Sequence, residues 1–518
     1  MKIIHAISAG CLVAGSILST ACTTDFENIN TNPNKMVVGD IQPSNVFEPL
    51  LYNASKQWQN YTWFWNNELI QFTAFTGGTT RQEHRYFIAD QDWKGLWNFY
   101  SSYANNTLHL KELAEANNDV AYQAMARTLK VLFMSNLTDM FGDIPYSEAF
   151  QGRKENGNLT PKYDSQKEVY EQLFAELEAA NDLYATQPVM LDKELDGMYK
   201  GDMTLWRKFN NSLYLRLICR VSGRPEMNVS ERIKTILGNP EKYPVFTSNA
   251  DNARVNYSGI QPYMGYFDPA TNTEANFTGS GRKLTEQFIK MTVISQNSIQ
   301  IYEDPRLAIW GKKKKTTWKG TIAGCTFAQQ NDADSGASLL NYEVLCRTTA
   351  PSFFMSYDEL EFILAEAALK GWISGDEEES RRHYEAAITA SMEKWSEFGK
   401  YSLLPVEITT DATATFLSSD LASWDKHEDK KELIANQKFL ALFWVGMEAY
   451  HEYRRTGHPV LTIGDGTYND HILPTRFAYP TVSVATNSAH VQEALQRMGG
   501  ENNMKTPVWW SLQAINNQ

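Results

Sequence analysis

Residues 436–459, N-Q-K-F-L-A-L-F-W-V-G-M-E-A-Y-H-E-Y-R-R-T-G-H-P, with L-P-T-R-F-A-Y-P at 473–480, decide how this chain reads. Leu440, Phe443, Trp444 and Met447 recur at helical spacing, and Glu448, Glu452, Arg454 and Arg455 crowd the end of the same run. The pattern predicts one helix stopped by Gly457 and Pro459. The i, i+4 spacing of the charges reads as helix salt bridges that fix the exit loop. A catalytic acid pair would need a defined separation in space, which spacing along a chain does not supply.

The rest of the composition narrows the function classes. With 518 residues the chain can bury a large core. A formal net charge of −13 argues against nucleic acid, whose binding needs clustered Lys and Arg. The only strong basic cluster, Lys312 to Lys315, reads as a solvated loop. Aromatics make up 12% of the residues, more than a core alone calls for, and such rings also serve interfaces and sugar- or peptide-binding faces.

At the N-terminus Lys2 precedes a mostly apolar run, Ile3 to Leu18, and then the small residues Ser19, Thr20 and Ala21. This reads as a secretory signal, too short and too weakly flanked for a stable span. Cys22 follows directly, as in a bacterial lipobox, although the Leu expected three residues earlier lies one position further back, at Leu18. Cys22 is therefore the expected lipidation site, and several acyl chains anchor firmly because each buried CH₂ adds about 0.8 kcal/mol. The thiols beyond it are Cys219, Cys325 and Cys346. Three is an odd number, so at least one stays unpaired, and Cys325 with Cys346 is the pairing that remains open.

Further along, residues 22–43 read as a lipidated tether after a signal peptide at 1–21, and 44–518 as a single body. Helices are expected over Ser44–Phe75, Asp92–Asn117, Val120–Met140, Asp164–Tyr184 and Asp202–Val221. Trp93, Leu96 and Tyr100 have the W-x₂-L-x₃-Y spacing of a tetratricopeptide helix. Ser165 with Glu168, and Ser356 with Glu359, have capping-box spacing. The helix from Ser356 to Trp372 is small on one face through Ala365, Ala367 and Ala368, and a partner helix containing Tyr384, Ala387 and Ser391 follows a short loop. Helix, tight loop, helix makes one tetratricopeptide-like unit, and roughly four degenerate units are expected. The fold class is thus mainly α: helix pairs over 44–221 and 352–455 form a scaffold, capped by loop-rich segments at 222–351 and 456–518. Short strands are expected near Trp318–Ala328 and Leu339–Arg347, and a last helix near Ser488–Met498.

Enzyme signatures are missing: there is no H-E-x-x-H, G-x-S-x-G, P-loop or G-x-G-x-x-G. No Cys/His spacing suggests zinc, and Asp332, Asp334 and Gly336 lack EF-hand spacing. The expectation is a non-enzyme with no cofactor and no metal. W-Q-N-Y-T-W-F-W, 58–65, is aromatic all round, so a single helix cannot bury every ring.

The 436–480 block resembles the SusD/RagB family, specifically its SusD-like branch. So do D-M-F-G-D-I-P-Y-S-E-A-F at 139–150, E-D-P-R-L at 303–307, S-Y-D-E-L-E-F-I-L-A-E-A-A at 356–368 and V-W-W at 508–510. The resemblance implies a lipoprotein on the outer face of a bacterial outer membrane. It would capture a nutrient and deliver it to a partner SusC-like TonB-dependent transporter, which it covers like a lid. A glycan is the expected ligand and an oligopeptide the alternative. A surface-anchored glycoside hydrolase and a ligand-free scaffold lipoprotein are the other two readings. In that family ligands meet loops outside the repeat scaffold. The candidate contacts here are Trp63, Trp65, Phe75, Tyr263, Tyr266, Phe267 and Trp318, with Arg81 as a polar partner.

Overall fold

Most of the helices predicted from periodicity form the body of the molecule, but the one expected over Ser44–Phe75 ends in a π-turn at Thr62–Asn66 and a strand at Thr73–Phe75. The computed structural model describes residues 41–78, 82–279, 281–330, 336–373 and 375–516. The signal, residues 22–40 of the tether including Cys22, and Arg81, Asp332 and Asp334 lie outside the described residues, while the last tether position, Pro43, already starts the first helix. Helices α1 (Pro43–Tyr61), α2 (Asp90–Ala116), α3 (Val120–Phe141), α4 (Gln166–Ala185) and α5 (Met203–Arg220) follow one another, α2 packing on α3, α3 on α4 and α4 on α5. Helices α6 (Tyr357–Leu369) and α7 (Glu377–Gly399) form a second pair, with α8 (Lys430–Ala441) against α6. Helices α9 (Glu448–Thr456) and α10 (Ser488–Met498) follow toward the C-terminus.

Local chemistry starts these helices where the sequence says. The Asp119 carboxylate accepts from Tyr122 N at 3.2 Å, and the Asp202 carboxylate accepts from Thr204 N at 2.8 Å. Ser165 and Glu168 form the expected reciprocal box, with Ser165 N donating to Glu168 Oε2 at 2.9 Å. From Leu129 to Phe141 only Lys130 of α3 keeps appreciable solvent exposure. Such a helix has no polar stripe because it runs between neighbours on every side.

Two further expectations are corrected, the cap at Ser356 and the single helix over 436–456, and two other readings are completed. Ser356 does not cap α6: its hydroxyl donates to Asp358 at 2.5 Å, while Glu359 turns to Arg216. Trp93 is only half-buried, hydrogen-bonded to Asp90, although Leu96 and Tyr100 are fully buried. Cys325 and Cys346 are both free, buried thiols. The 436–456 run is two helices, not one. Trp444 (φ 70°) and Gly446 (φ 54°) are left-handed between α8 and α9, and a Cβ on Gly446 would lie 2.3 Å from the Trp58 ring. The close approach of Trp58 needs glycine there.

The segments between helices pair in short antiparallel ribbons: β1 (Thr73–Phe75) with β3 (Arg282–Leu284), and β2 (Ala253–Val255) with β8 (Ser352–Met355). Likewise β4 (Val293–Gln296) pairs with β5 (Ile299–Glu303), and β6 (Gly311–Lys312) with β7 (Leu339–Leu340). Between Trp318 and Ala328 there is an isolated bridge at Thr321 instead of the expected strand. The register Phe75↔Arg282 and Thr73↔Leu284 ties the end of the first helical stretch to the loop-rich region.

The charges of the opening segment are buried, and they bridge between helices as well as along one. Arg216 of α5 meets Glu359 of α6 at 2.6 Å and Glu448 of α9 at 3.4 Å. Arg220, one turn on, holds Glu448 and Asp139 of α3. Arg455 joins Glu366 at 2.5 Å and Glu452 at 2.6 Å, and Lys438 of α8 reaches Glu452 at 3.1 Å. The Trp510 indole donates to Asp139 at 2.7 Å, and the Tyr479 hydroxyl to the Asp143 carbonyl at 2.6 Å. Segments 139–150, 356–368, 436–480 and 508–510, far apart in sequence, thus meet through buried polar contacts. Burial opposes ionisation of Glu452, but Arg455 and Lys438 outweigh it and hold its carboxyl at about 2.

Candidate functional site

The aromatic run at 58–65 resolves by a change of helix type. After Tyr61 the backbone widens into a π-turn over Thr62–Asn66 before resuming α at Asn67. Such one-turn bulges shift the side-chain phase. Trp58, Tyr61 and Trp65 go into the core, and Trp63 and Phe64 are left half-buried. Trp63 stacks on Phe277 (centroids 5.6 Å apart, 9° between planes) and meets Phe267 edge-on at 5.6 Å. The Arg282 guanidinium lies 4.0 Å from the Trp63 ring centre and 5.9 Å from those of Phe64 and Phe75. Its charge is matched by Glu68, fully buried and 2.8 Å away, which also accepts from Phe75 N at 2.7 Å. Tyr266, 36% exposed, packs edge-on against Phe267 at 5.1 Å.

Beside this cluster three loops are stitched together. Arg85 is the knot: its Nε donates to the Cys325 carbonyl at 2.6 Å and its Nη2 to Gln330 at 2.8 Å. Its own carbonyl accepts from Tyr468 N at 2.7 Å. Gln330 in turn donates to the Thr76 carbonyl, next to Phe75. His84 accepts from Gly324 N at 3.0 Å through Nδ1. Burial lowers its pKa to about 4, so the ring is neutral. The loops 322–325 and 464–467 approach so closely that a Cβ on Gly464 would lie 2.4 Å from the Gly324 carbonyl.

On this knot stand three rings open to solvent. Phe87 (51% exposed) packs against Tyr468 (45%) with centroids 5.2 Å apart, and Phe327 (46%) lies 3.9 Å from the Arg85 guanidinium. Ile322 and Ile472 are also exposed on these loops. These exposed rings stand on loops that buried polar groups tie together, which makes them a candidate contact surface. Their flat faces suit the C–H faces of a sugar ring, and nearby amides and hydroxyls suit its oxygens.

Of the sequence candidates, Trp63, Phe75 and Tyr266 fall in or beside this cluster. Trp65 is buried against Phe477 and Phe267 is fully buried among Trp63, Phe277 and Trp444. Trp318 is buried, its indole donating to Glu303 at 2.6 Å. None of these three presents a face to a ligand in this conformation. Tyr263 pins a turn, its ring 4.8 Å from Tyr52 and its hydroxyl on Glu48. Phe64 belongs to the 58–65 run singled out in the sequence, whereas the exposed rings Phe87, Phe327 and Tyr468 were not singled out there. The available signal was Tyr468 within G-D-G-T-Y-N-D, a bulky ring placed in a run of turn residues.

Comparison with known proteins gives one consistent picture. A family model described as SusD-like, starch-binding associating with outer membrane, matches residues 33–480. No match was found among curated proteins. Solved structures resemble the whole body. A SusD homologue from Bacteroides fragilis is 25% identical with a TM-score of 0.75, covering 91% of this chain and 100% of that one. An outer-membrane protein of Bacteroides vulgatus, described as a candidate nutrient binder, is 25% identical with a TM-score of 0.74 over 91% and 100%. A chitin-binding SusD homologue from Flavobacterium johnsoniae is 24% identical with a TM-score of 0.70 over 90% and 98%.

Proposed function

The chain belongs to the SusD-like family of starch-binding proteins that associate with the outer membrane, and from that premise we propose that it captures a nutrient glycan at the cell surface. Delivery is to a partner TonB-dependent transporter of the SusC type, and Cys22 carries the lipid anchor. Among the described residues no helix is long and apolar enough to cross a membrane, so an anchor of this kind is compatible with the body. The observation that carries the glycan reading is the solvent-open ring set Phe87, Phe327 and Tyr468, tied through Arg85 and Gln330 to the Thr76 carbonyl next to Phe75. Binding alone suffices for this role, and no covalent step is assigned.

Titration calorimetry with starch-derived and other neutral oligosaccharides tests it. Replacing Tyr468 or Phe87 by Ala removes a stacking face worth about 0.5–1.5 kcal/mol. The expected result is a 2- to 10-fold weaker affinity with an unchanged melting temperature. A protein that binds only peptides redirects the reading to an oligopeptide ligand. Cleavage of the oligosaccharide redirects it to a hydrolase. Co-purification with a transporter but no binding of either ligand class leaves the scaffold reading.

A further inference from the structure

A cavity that shares no lining residue with the aromatic loops opens at the start of α4. It is a cleft of about 580 Å³ whose lining includes Lys167, Arg224, Arg497, Asp143, Gln166 and Trp509. Three cations face one carboxylate there. That carboxylate is committed: Asp143 takes Arg497 Nε at 2.9 Å and the Gln166 backbone N–H at 2.9 Å. Arg497 is further fixed by donating to the Tyr163 carbonyl at 2.6 Å. Arg224 lies over Trp509, 5.2 Å from the ring centre, and its Nε donates to the Trp509 carbonyl at 2.7 Å. Lys167 has only a loose ion pair, 3.8 Å from Glu171.

Two further features are independent of this charge. Ser165 caps the 20-residue helix α4 at the edge of the cleft, where the positive end of the helix dipole, partly met by Glu168 of the first turn, adds to the cations. Gln166, 1% exposed, spends its amide N–H group on the Thr138 carbonyl at 2.7 Å, while its Oε1 has no hydrogen-bond partner. Gln166 lines the cleft, and a turn of its side chain would present this unmet acceptor to a donor from an occupant.

We propose that this cleft is a second saccharide subsite, specific for an acidic sugar. The carboxylate of a uronate lies among Lys167, Arg224 and Arg497, a hydroxyl donates to Gln166 Oε1, and a ring face rests on Trp509. The choice of a saccharide rests on the glycan-capture reading above, whereas the preference for an anion rests on the cleft alone.

Tryptophan fluorescence and calorimetry with trigalacturonate, neutral maltotriose and sodium sulfate test it. Trigalacturonate is expected to bind, to perturb tryptophan emission and to weaken as salt rises. Lys167→Glu, a change at a solvent-accessible position, is expected to weaken it at least 10-fold, and Gln166→Leu 3-fold or more, while Tyr468→Ala leaves it unchanged. Arg497→Gln is avoided because it strands Asp143. Equal affinity for maltotriose in this cleft, sulfate binding without trigalacturonate binding, or indifference to Lys167→Glu would each overturn the assignment. Neutral-glycan binding lost in Tyr468→Ala, with no uronate binding, defeats this subsite and leaves the capture function standing.

Discussion

At the level of single residues, Glu448 shows why the 436–480 segment is so constrained. It sits between two arginines of α5, and each arginine has a second carboxylate, Glu359 for Arg216 and Asp139 for Arg220. Replacing a buried charge strands its partners in a medium that solvates them poorly. Glu448→Gln is expected to destabilise the protein by about 3 kcal/mol, the low end for a broken buried pair because both arginines keep one partner. The urea midpoint measures this, and a midpoint equal to that of the parent would show that Glu359 and Asp139 suffice. The charged residues were visible in the sequence as a cluster. Their partners were not, because Arg216, Arg220 and Asp139 lie hundreds of residues away.

Among the elements, the helices Val120–Phe141, Gln166–Ala185, Met203–Arg220 and Ser488–Met498 were legible almost to the residue. Their caps and apolar periods are local properties. The break between α8 and α9 was not legible, since L-F-W-V-G-M continues a helical pattern and only contact with Trp58 of α1 makes the turn necessary. Gly446→Ala tests that cause. It adds a methyl group at positive φ against a fixed indole, and strain plus overpacking predict a loss of roughly 2–4 kcal/mol. Calorimetric unfolding reads the effect, and a variant as stable as the parent would mean that the α8–α9 turn relaxes freely. The π-turn at Thr62–Asn66 is a similar case. Sequence showed too many aromatic residues for one face of a helix, but which rings stayed half-open depended on the added residue in the turn.

For the whole molecule, pH reports on burial. His84 sits beneath the ring-bearing loops with its pKa lowered to about 4, chiefly by burial, and burial also pushes His451 well below its usual value. An unfolded histidine takes up its proton near pH 6.5. The unfolded state therefore binds more protons below that pH, and stability is full above 6.5 and declines as pH falls toward 4. The urea midpoint is expected to drop between pH 7 and pH 5, and His84→Gln is expected to flatten part of that drop. Identical slopes for parent and variant would rule out His84 as a source. The same fall in pH should loosen the 322–325 loop first, because His84 accepts from Gly324 N.

The sequence by itself determined the helical class, the order of the helix pairs and the family, because periodicity, capping chemistry and short motifs are written within a few residues of one another. Only the tertiary structure decided which aromatics face water. Phe267 and Trp318 became core while Phe87, Phe327 and Tyr468 became surface, and nothing in their immediate neighbours distinguishes them. Burial of a ring is settled by what other segments pack over it. For these loops the packing is set by Arg85, Gln330 and the close approach of Gly324 to Gly464, contacts that span the length of the chain.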